Sequence, residues 1–156
     1  MIEVTKNLLI VSCSESKDKS SQPIPAIQRY TGPCYKVINK LRKENKFPSN
    51  LEIGIISAKY GFLKATDLIE YYDLRMSEKR AKELNREILK KLESLLEEGY
   101  FHTIFINLGK DYLPAINGFQ NIISQNTKVI FAKGKIGQRL SQMKSWILSL
   151  EKLQFK

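Results

Sequence analysis

Four short apolar runs punctuate the chain, at residues 8–13, 51–57, 103–108 and 128–132. They are rich in Ile, Val, Leu and Phe and do not alternate with polar residues, the pattern of strands covered on both faces. Between them the apolar spacing changes to three and four, the period of a helix. A first helix is expected to open at Pro33, where a missing N–H costs nothing, with Val37, Ile38 and Leu41 as its stripe and Phe47-Pro48 beyond its end. A long helix is expected over 78–98, with Ser77 as N-cap, Gly99 after its end, and Ala81, Leu84, Ile88, Leu92, Leu95 and Leu96 on one face. A last helix follows Gly137, with Leu140, Met143, Ile147 and Leu150 inward. Strands alternating with helices predict an α/β fold: a mostly parallel four-stranded sheet with helices on both faces, Rossmann-like, in a single domain over residues 1–156.

Ligands of such sheets bind beyond the carboxyl ends of the strands. Each predicted strand here runs into a polar loop. The first leads to Ser12-Cys13-Ser14-Glu15-Ser16-Lys17 and the second to Ser57-Ala58-Lys59-Tyr60-Gly61. The third leads to Asn107-Leu108-Gly109-Lys110-Asp111-Tyr112 and the fourth to Lys133-Gly134-Lys135-Ile136-Gly137-Gln138-Arg139. Hydroxyls and main-chain N–H groups near Ser14 and Lys17 could hold an anion, or the serines could cap their own loop. Gly134 and Gly137 allow close approach of backbone to a ligand at a helix start, with Lys135 and Arg139 adding charge; the same pair also serves an ordinary turn. Residues 67–73, with Asp67, Glu70, Tyr71, Tyr72 and Asp73, combine carboxylates for hydrogen bonding or proton transfer with rings that can stack on a base.

The net charge is +10, distributed as +5 over residues 1–50, −1 over 51–100 and +6 over 101–156. Basic ends around a neutral middle fit contact with phosphate on a nucleic acid or nucleotide, or a lysine-rich solvated surface. Lysine far outnumbers arginine, which weakens a case for bidentate phosphate recognition by charge alone. The single histidine, His102, and two well-separated cysteines, Cys13 and Cys34, form no zinc pattern, so no metal is expected. Cys13 reads as a buried thiol at a strand end, with a nucleophile as the alternative. No Walker A loop or dinucleotide fingerprint is present, and no cofactor is expected. The apolar runs are too short to span a membrane, and the first residues lack an apolar leader, so a cytoplasmic location is expected.

Ser57-Ala58-Lys59-Tyr60-Gly61-Phe62-Leu63, followed by Asp67-Leu68-Ile69, Tyr72, Leu74 and Met76, resembles the central signature of the YaaA family of peroxide-stress proteins. Cys13-Ser14 with Lys17, and Tyr30-Thr31-Gly32-Pro33, are closer to a related group of short domains. A similar Cys-Ser-x-x-Lys module occurs in archaeal enzymes related to tRNA-guanine transglycosylase. The resemblance implies an α/β domain connected with nucleic acid, oxidative stress or base modification. The positions it carries over are Lys59, Tyr60, Gly61, Asp67 and Tyr72, with Ser14 and Lys17. The resulting expectation is a nucleic-acid- or nucleotide-binding domain linked to modified or damaged bases. The alternatives are an enzyme acting on a nucleobase or its glycosidic bond, with Asp67 as key carboxylate and Lys59 or Tyr72 assisting, and a non-catalytic accessory subunit. Tyr60, Gly61, Gly109, Lys110, Gly134, Gly137 and Arg139 complete the candidate ligand site.

Overall fold

The computed structural model describes residues 5–154. Residues 1–4, where no leader is expected, and 155–156 lie outside the described residues. The strands are β1 (Lys6–Ser12), β2 (Ile24–Pro25), β3 (Leu51–Ser57), β4 (Gly61–Lys64), β5 (Leu68–Ile69), β6 (Phe101–Asn107) and β7 (Lys128–Phe131). The helices are α1 (Ala26–Arg29), α2 (Pro33–Lys43), α3 (Glu78–Glu98) and α4 (Ile136–Gln154), with 3-10 turns at Leu113–Ile116 and Phe119–Asn121.

The main sheet has five strands in the order β4-β3-β1-β6-β7, where the chain's pattern predicts four. β3, β1, β6 and β7 are the four expected strands, and they run parallel. The addition is β4, which pairs antiparallel with β3 through Gly54↔Lys64 to Ser57↔Gly61. Three residues, Ala58, Lys59 and Tyr60, make the turn, and Gly61 follows at φ +77. Three-residue hairpins place a left-handed residue at that point, where a Cβ would be strained. The Ser57 hydroxyl accepts the main-chain N–H groups of Lys59 and Tyr60 (3.3 and 3.1 Å) and pins the turn. Arg80 of α3 holds it from outside by donating to the Ala58 carbonyl at 2.7 Å. A separate ribbon pairs β2 with β5.

β1 is central, and its Leu8, Leu9, Ile10 and Val11 are fully buried. This explains its unbroken apolar run. From β1 the chain steps one way to β3, then back across β1 to β6. α2 lies in the first of these crossovers and α3 in the second, and the two crossovers run in opposite directions along the sheet. α2 meets α4 through Cys34 and Met143, and Trp146 of α4 stacks on Phe105 of β6 (centroids 4.9 Å apart). α3 packs on β4 and on the Leu113–Ile116 turn, where Asn85 donates to the Pro114 and Ala115 carbonyls.

The helix boundaries follow their capping chemistry. Pro33 opens α2, and the Ser77 hydroxyl accepts Arg80 N–H at the start of α3. Ala81, Leu84, Ile88, Leu92 and Leu95 are buried, while Leu96 is half-buried at the stripe's edge. In α4, Met143, Ile147 and Leu150 face inward with Trp146, and Leu140 is half-buried. Among the described residues no helix is long and apolar enough to cross a membrane.

Candidate functional site

The strand order reverses beside β1, so the loops after β1 and β6 leave in opposite directions and open a crevice between them. A cleft of about 310 Å3 lies there. Its first wall is the loop after β1, with Cys13, Ser14, Glu15 and Lys17. Its second is residues 73–76, and its third is Asp111 with Tyr112. A depression of about 360 Å3 at the opposite end of β6, around Glu93, Glu97 and Tyr100, has carboxylates but no cation in its lining.

The loop after β1 is held from beneath by Arg29. This side chain is fully buried, and its two terminal nitrogens donate to four main-chain carbonyls. Nη1 reaches Asp18 and Ser20 (2.7 and 2.9 Å), and Nη2 reaches Gln22 and Ile69 (2.7 and 3.1 Å). Main-chain bonds from Asp18 N–H to Arg29 and from Thr31 N–H to Ser16 tie the loop to the chain behind it. Ser14 locks the same region: its oxygen accepts Gly32 N–H (3.2 Å) and its hydroxyl donates to the Ser16 carbonyl (2.6 Å). Gly32 fits because a Cβ there would lie 2.7 Å from that of Ser14.

Three hydroxyls meet beside the cleft. Tyr72 Oη lies 2.6 Å from Tyr30 Oη and 2.9 Å from Ser57 Oγ, and Tyr30 donates to Ser57 at 3.2 Å. With two N–H groups aimed at the Ser57 oxygen, these distances admit a closed cycle. Tyr72 donates to Tyr30, Tyr30 to Ser57, and Ser57 to Tyr72. Burial pushes Tyr30 up to about 12, with the bond donated by Tyr72 opposing it. Burial likewise raises Tyr72, Tyr35 and Tyr112 above the usual phenol range. Tyr72 is therefore held in its protonated form at neutral pH.

These shifts favour the protonated phenols in the folded state. The unfolded chain loses those protons first, from about pH 10 upward. Stability is therefore expected to be intact below pH 10 and to fall as pH rises from 10 through 12, by up to about 1.4 kcal/mol per pH unit for each buried tyrosine. Urea midpoints across that range, read beside absorbance at 295 nm, check this. A midpoint that stays level while the phenolate band grows would contradict it.

The face of the Tyr72 ring carries cations. Lys17 Nζ lies 4.6 Å from its centroid and Lys59 Nζ 5.9 Å, with Lys59 also 5.3 Å from the Tyr60 ring. Tyr60 meets Tyr72 edge-on, and its hydroxyl accepts Glu70 N–H. Among the described residues neither ammonium has a carboxylate within 4.0 Å; the seven ion pairs lie elsewhere. Two ammonium groups held within about 6 Å of one ring, with no carboxylate beside either, make the surroundings of Tyr72 electropositive. On the far wall, Tyr112 Oη meets Cys13 Sγ at 3.2 Å. Cys34, which meets Met143 of α4, is pushed up to about 12 by burial, which disfavours its thiolate.

Of the sequence-predicted residues, Ser14 and Lys17 line the cleft, and Lys59, Tyr60 and Tyr72 lie outside its lining, gathered around the ring that Lys17 covers; the others lie elsewhere. Asp67 sits in the turn between β4 and β5. Its carboxylate accepts Lys64 N–H at 2.8 Å, its N–H returns to the Lys64 carbonyl, and its carbonyl accepts Ala26 N–H. Those bonds give it a turn-closing part, and it is absent from the cleft lining. Gly61 faces Glu87 and Ile88 of α3. Arg139 donates to Asn107 Oδ1 at 3.0 Å and lies against Gly109, whose carbonyl accepts Tyr112 N–H. Gly134, at φ +99, makes the turn into α4, where Gln138 Oε1 accepts Lys135 N–H; Gly137 lies exposed in the first turn of α4. Lys110 is exposed in another depression, with Glu78 and Lys82. The residue patterns gave no site role to Glu15, Arg75, Asp111 or Tyr112. Glu15, Asp111 and Tyr112 lie in the strand-end loops that the pattern marked, but only the adjacency of β1 and β6 makes them neighbours, and Arg75 lies outside those loops. Among the described residues no group of His, Cys, Asp and Glu is arranged to hold a metal ion.

Comparison with curated proteins returns no match. Among solved structures the chain is similar to the crystal structure of AF0587, a protein of unknown function, with a TM-score of 0.55 at 14% identity. The match covers 92% of this chain and 44% of that one, so this chain spans less than half the length of that protein. At that identity the likeness extends to the fold alone. A family model described as a family of unknown function, DUF6884, matches residues 8–145, and the chain belongs to that family.

Proposed function

We propose that this chain binds a nucleotide unit, free or within a nucleic acid, in the cleft at the end of β1. The sheet is read here as Rossmann-like, with the ligand at the reversal of strand order. The observation that carries the reading is the pair of carboxylate-free ammonium groups, Lys17 and Lys59, gathered on the Tyr72 ring beside the cleft. The lining mixes Lys17 and Arg75 with Glu15, Asp73 and Asp111. A bare anion is poorly served by such a wall. A nucleotide carries both an anionic phosphate and a base with N–H donors, and so suits both halves of it. The YaaA-like signature residues Lys59, Tyr60 and Tyr72 border the same place, which supports a link to modified or damaged bases.

The test is fluorescence anisotropy of a labelled single-stranded decamer, as DNA and as RNA, with nucleoside 5′-monophosphates as competitors, over a series of salt concentrations. Log affinity should fall with log salt by about 0.7 per neutralised phosphate. Lys17→Gln and Lys59→Gln are each expected to weaken binding and to flatten the slope by about that amount. No binding, or binding indifferent to salt and to both substitutions, would end the proposal.

A further inference from the structure

Resting on the nucleotide-binding reading, we infer that Arg75 is the phosphate-reading group of the cleft and that Glu15 holds it in reserve until a ligand phosphate replaces it. Arg75 is the one guanidinium among the residues lining the cleft. Arg139, the arginine that the sequence pattern favours, is occupied by Asn107. Arg75 instead makes a single bond across the mouth, from Nη2 to Glu15 Oε2 at 3.0 Å, with both side chains about 80% exposed. So exposed a pair contributes little to stability and exchanges readily. The two residues come from different walls of the cleft, Glu15 after β1 and Arg75 after Tyr72, and their contact joins those walls.

The chemistry of exchange favours phosphate. A guanidinium presents a planar fork of donors that two phosphate oxygens satisfy together, whereas Glu15 takes one of them here. Lys17 lines the same cleft and would face the same phosphate. Its ammonium donates to the Glu15 main-chain carbonyl at 3.4 Å and is not part of that carboxylate's pairing with Arg75. Displacing Glu15 frees a carboxylate that is already exposed, so its release to water costs little.

This assignment gives the two partners opposite effects, which a structural latch would not. The probes are the four nucleoside 5′-monophosphates, the matching nucleosides, and a single-stranded decamer without terminal phosphate, measured by calorimetry at low salt. Arg75→Gln is expected to weaken the phosphate-bearing probes about tenfold or more and to leave the nucleosides unchanged. Glu15→Gln is expected to tighten the same probes about two- to fivefold. That gain should vanish when Glu15→Gln is combined with Arg75→Gln, since there is then no arginine to release. A preference for monophosphates over the decamer identifies a free nucleotide as the source of the phosphate, and the reverse identifies an internal phosphodiester; either satisfies the assignment.

Weakening by both single substitutions would make the pair a latch that shapes the cleft. Tightening that persists without Arg75 would be a general charge effect. Each overturns the role of Arg75 while nucleotide binding stands. Failure of every phosphate-bearing probe to bind the parent chain overturns the binding reading itself, and this assignment with it.

Discussion

Arg29→Met is expected to lower the unfolding free energy by about 3 kcal/mol, read as a shift of the urea midpoint at unchanged slope. The guanidinium is fully buried, and among the described residues it has no carboxylate partner. Four carbonyl dipoles stand in for a counter-ion, with Nε left without an acceptor. Bonds from a charged donor contribute about 1.5–3 kcal/mol apiece when no alternative exists. The full sum does not apply, because Asp18, Ser20 and Gln22 are exposed and their carbonyls can turn to water. The carbonyl of buried Ile69 has less freedom. Arg29→Lys should recover little, since one ammonium cannot span the two pairs of acceptors that the fork reaches. The same variants should weaken nucleotide binding, because the loop that Arg29 anchors carries Lys17. A midpoint shift worth less than about 0.5 kcal/mol would mean the loop is held by other bonds.

Tyr72→Ala is the second large expectation. It removes a buried ring beside which both carboxylate-free ammonium groups lie, and it opens the cycle of three hydroxyls. A loss of about 3–5 kcal/mol in stability accompanies truncation of a buried aromatic residue. Affinity for the single-stranded decamer should fall about tenfold or more, since Lys17 and Lys59 lose the surface that orients them. Tyr72→Phe separates the ring from the hydroxyl. It keeps the aromatic face, leaves Tyr30 and Ser57 to bond each other, and should cost about 1–2 kcal/mol in stability. Its affinity should stay within about twofold of the parent at a concentration of urea-free buffer where both are folded. Equal loss of binding in the alanine and phenylalanine variants would show that the hydroxyl, rather than the ring face, is what the ligand requires.

The inner parallel strands β1, β3 and β6 were legible because burial on both faces writes a nearly unbroken apolar run; β7, an edge strand with no fully buried residue, was legible from its Val129-Ile130-Phe131 alone. α3 was legible because its stripe, its cap at Ser77 and Gly99 agree with one another. β4 was not, for a physical reason. Gly61, Phe62, Leu63 and Lys64 are too few to display a period, and the turn before them carries the polar residues of a loop. The two-residue strands β2 and β5 leave no pattern at all. At the site, the pattern marked a polar loop after a strand, and the resemblance to the YaaA signature singled out Lys59, Tyr60 and Tyr72 within it. Arg29 did not, since an arginine in a polar stretch reads as surface and only the coordinates reveal four carbonyls around it. Asp67 drew notice as a carboxylate among tyrosines, yet its place three residues after Lys64 is also that of a side chain closing its own turn. Arg75 lay in the segment of near-zero net charge, where a charge count hides a cation beside its neighbours.

The central position of β1 has a kinetic consequence. Its partners, β3 and β6, arrive far later in the sequence, and parallel pairing over such separations requires closing long loops before any contact rewards them. The walls of the cleft come from three such distant segments, the last of them after β6. On a growing chain, Lys17 and Tyr72 exist long before Tyr112 does, so the cleft should be among the last features to assemble. Ligand addition during refolding should then slow unfolding while leaving the early folding rate untouched.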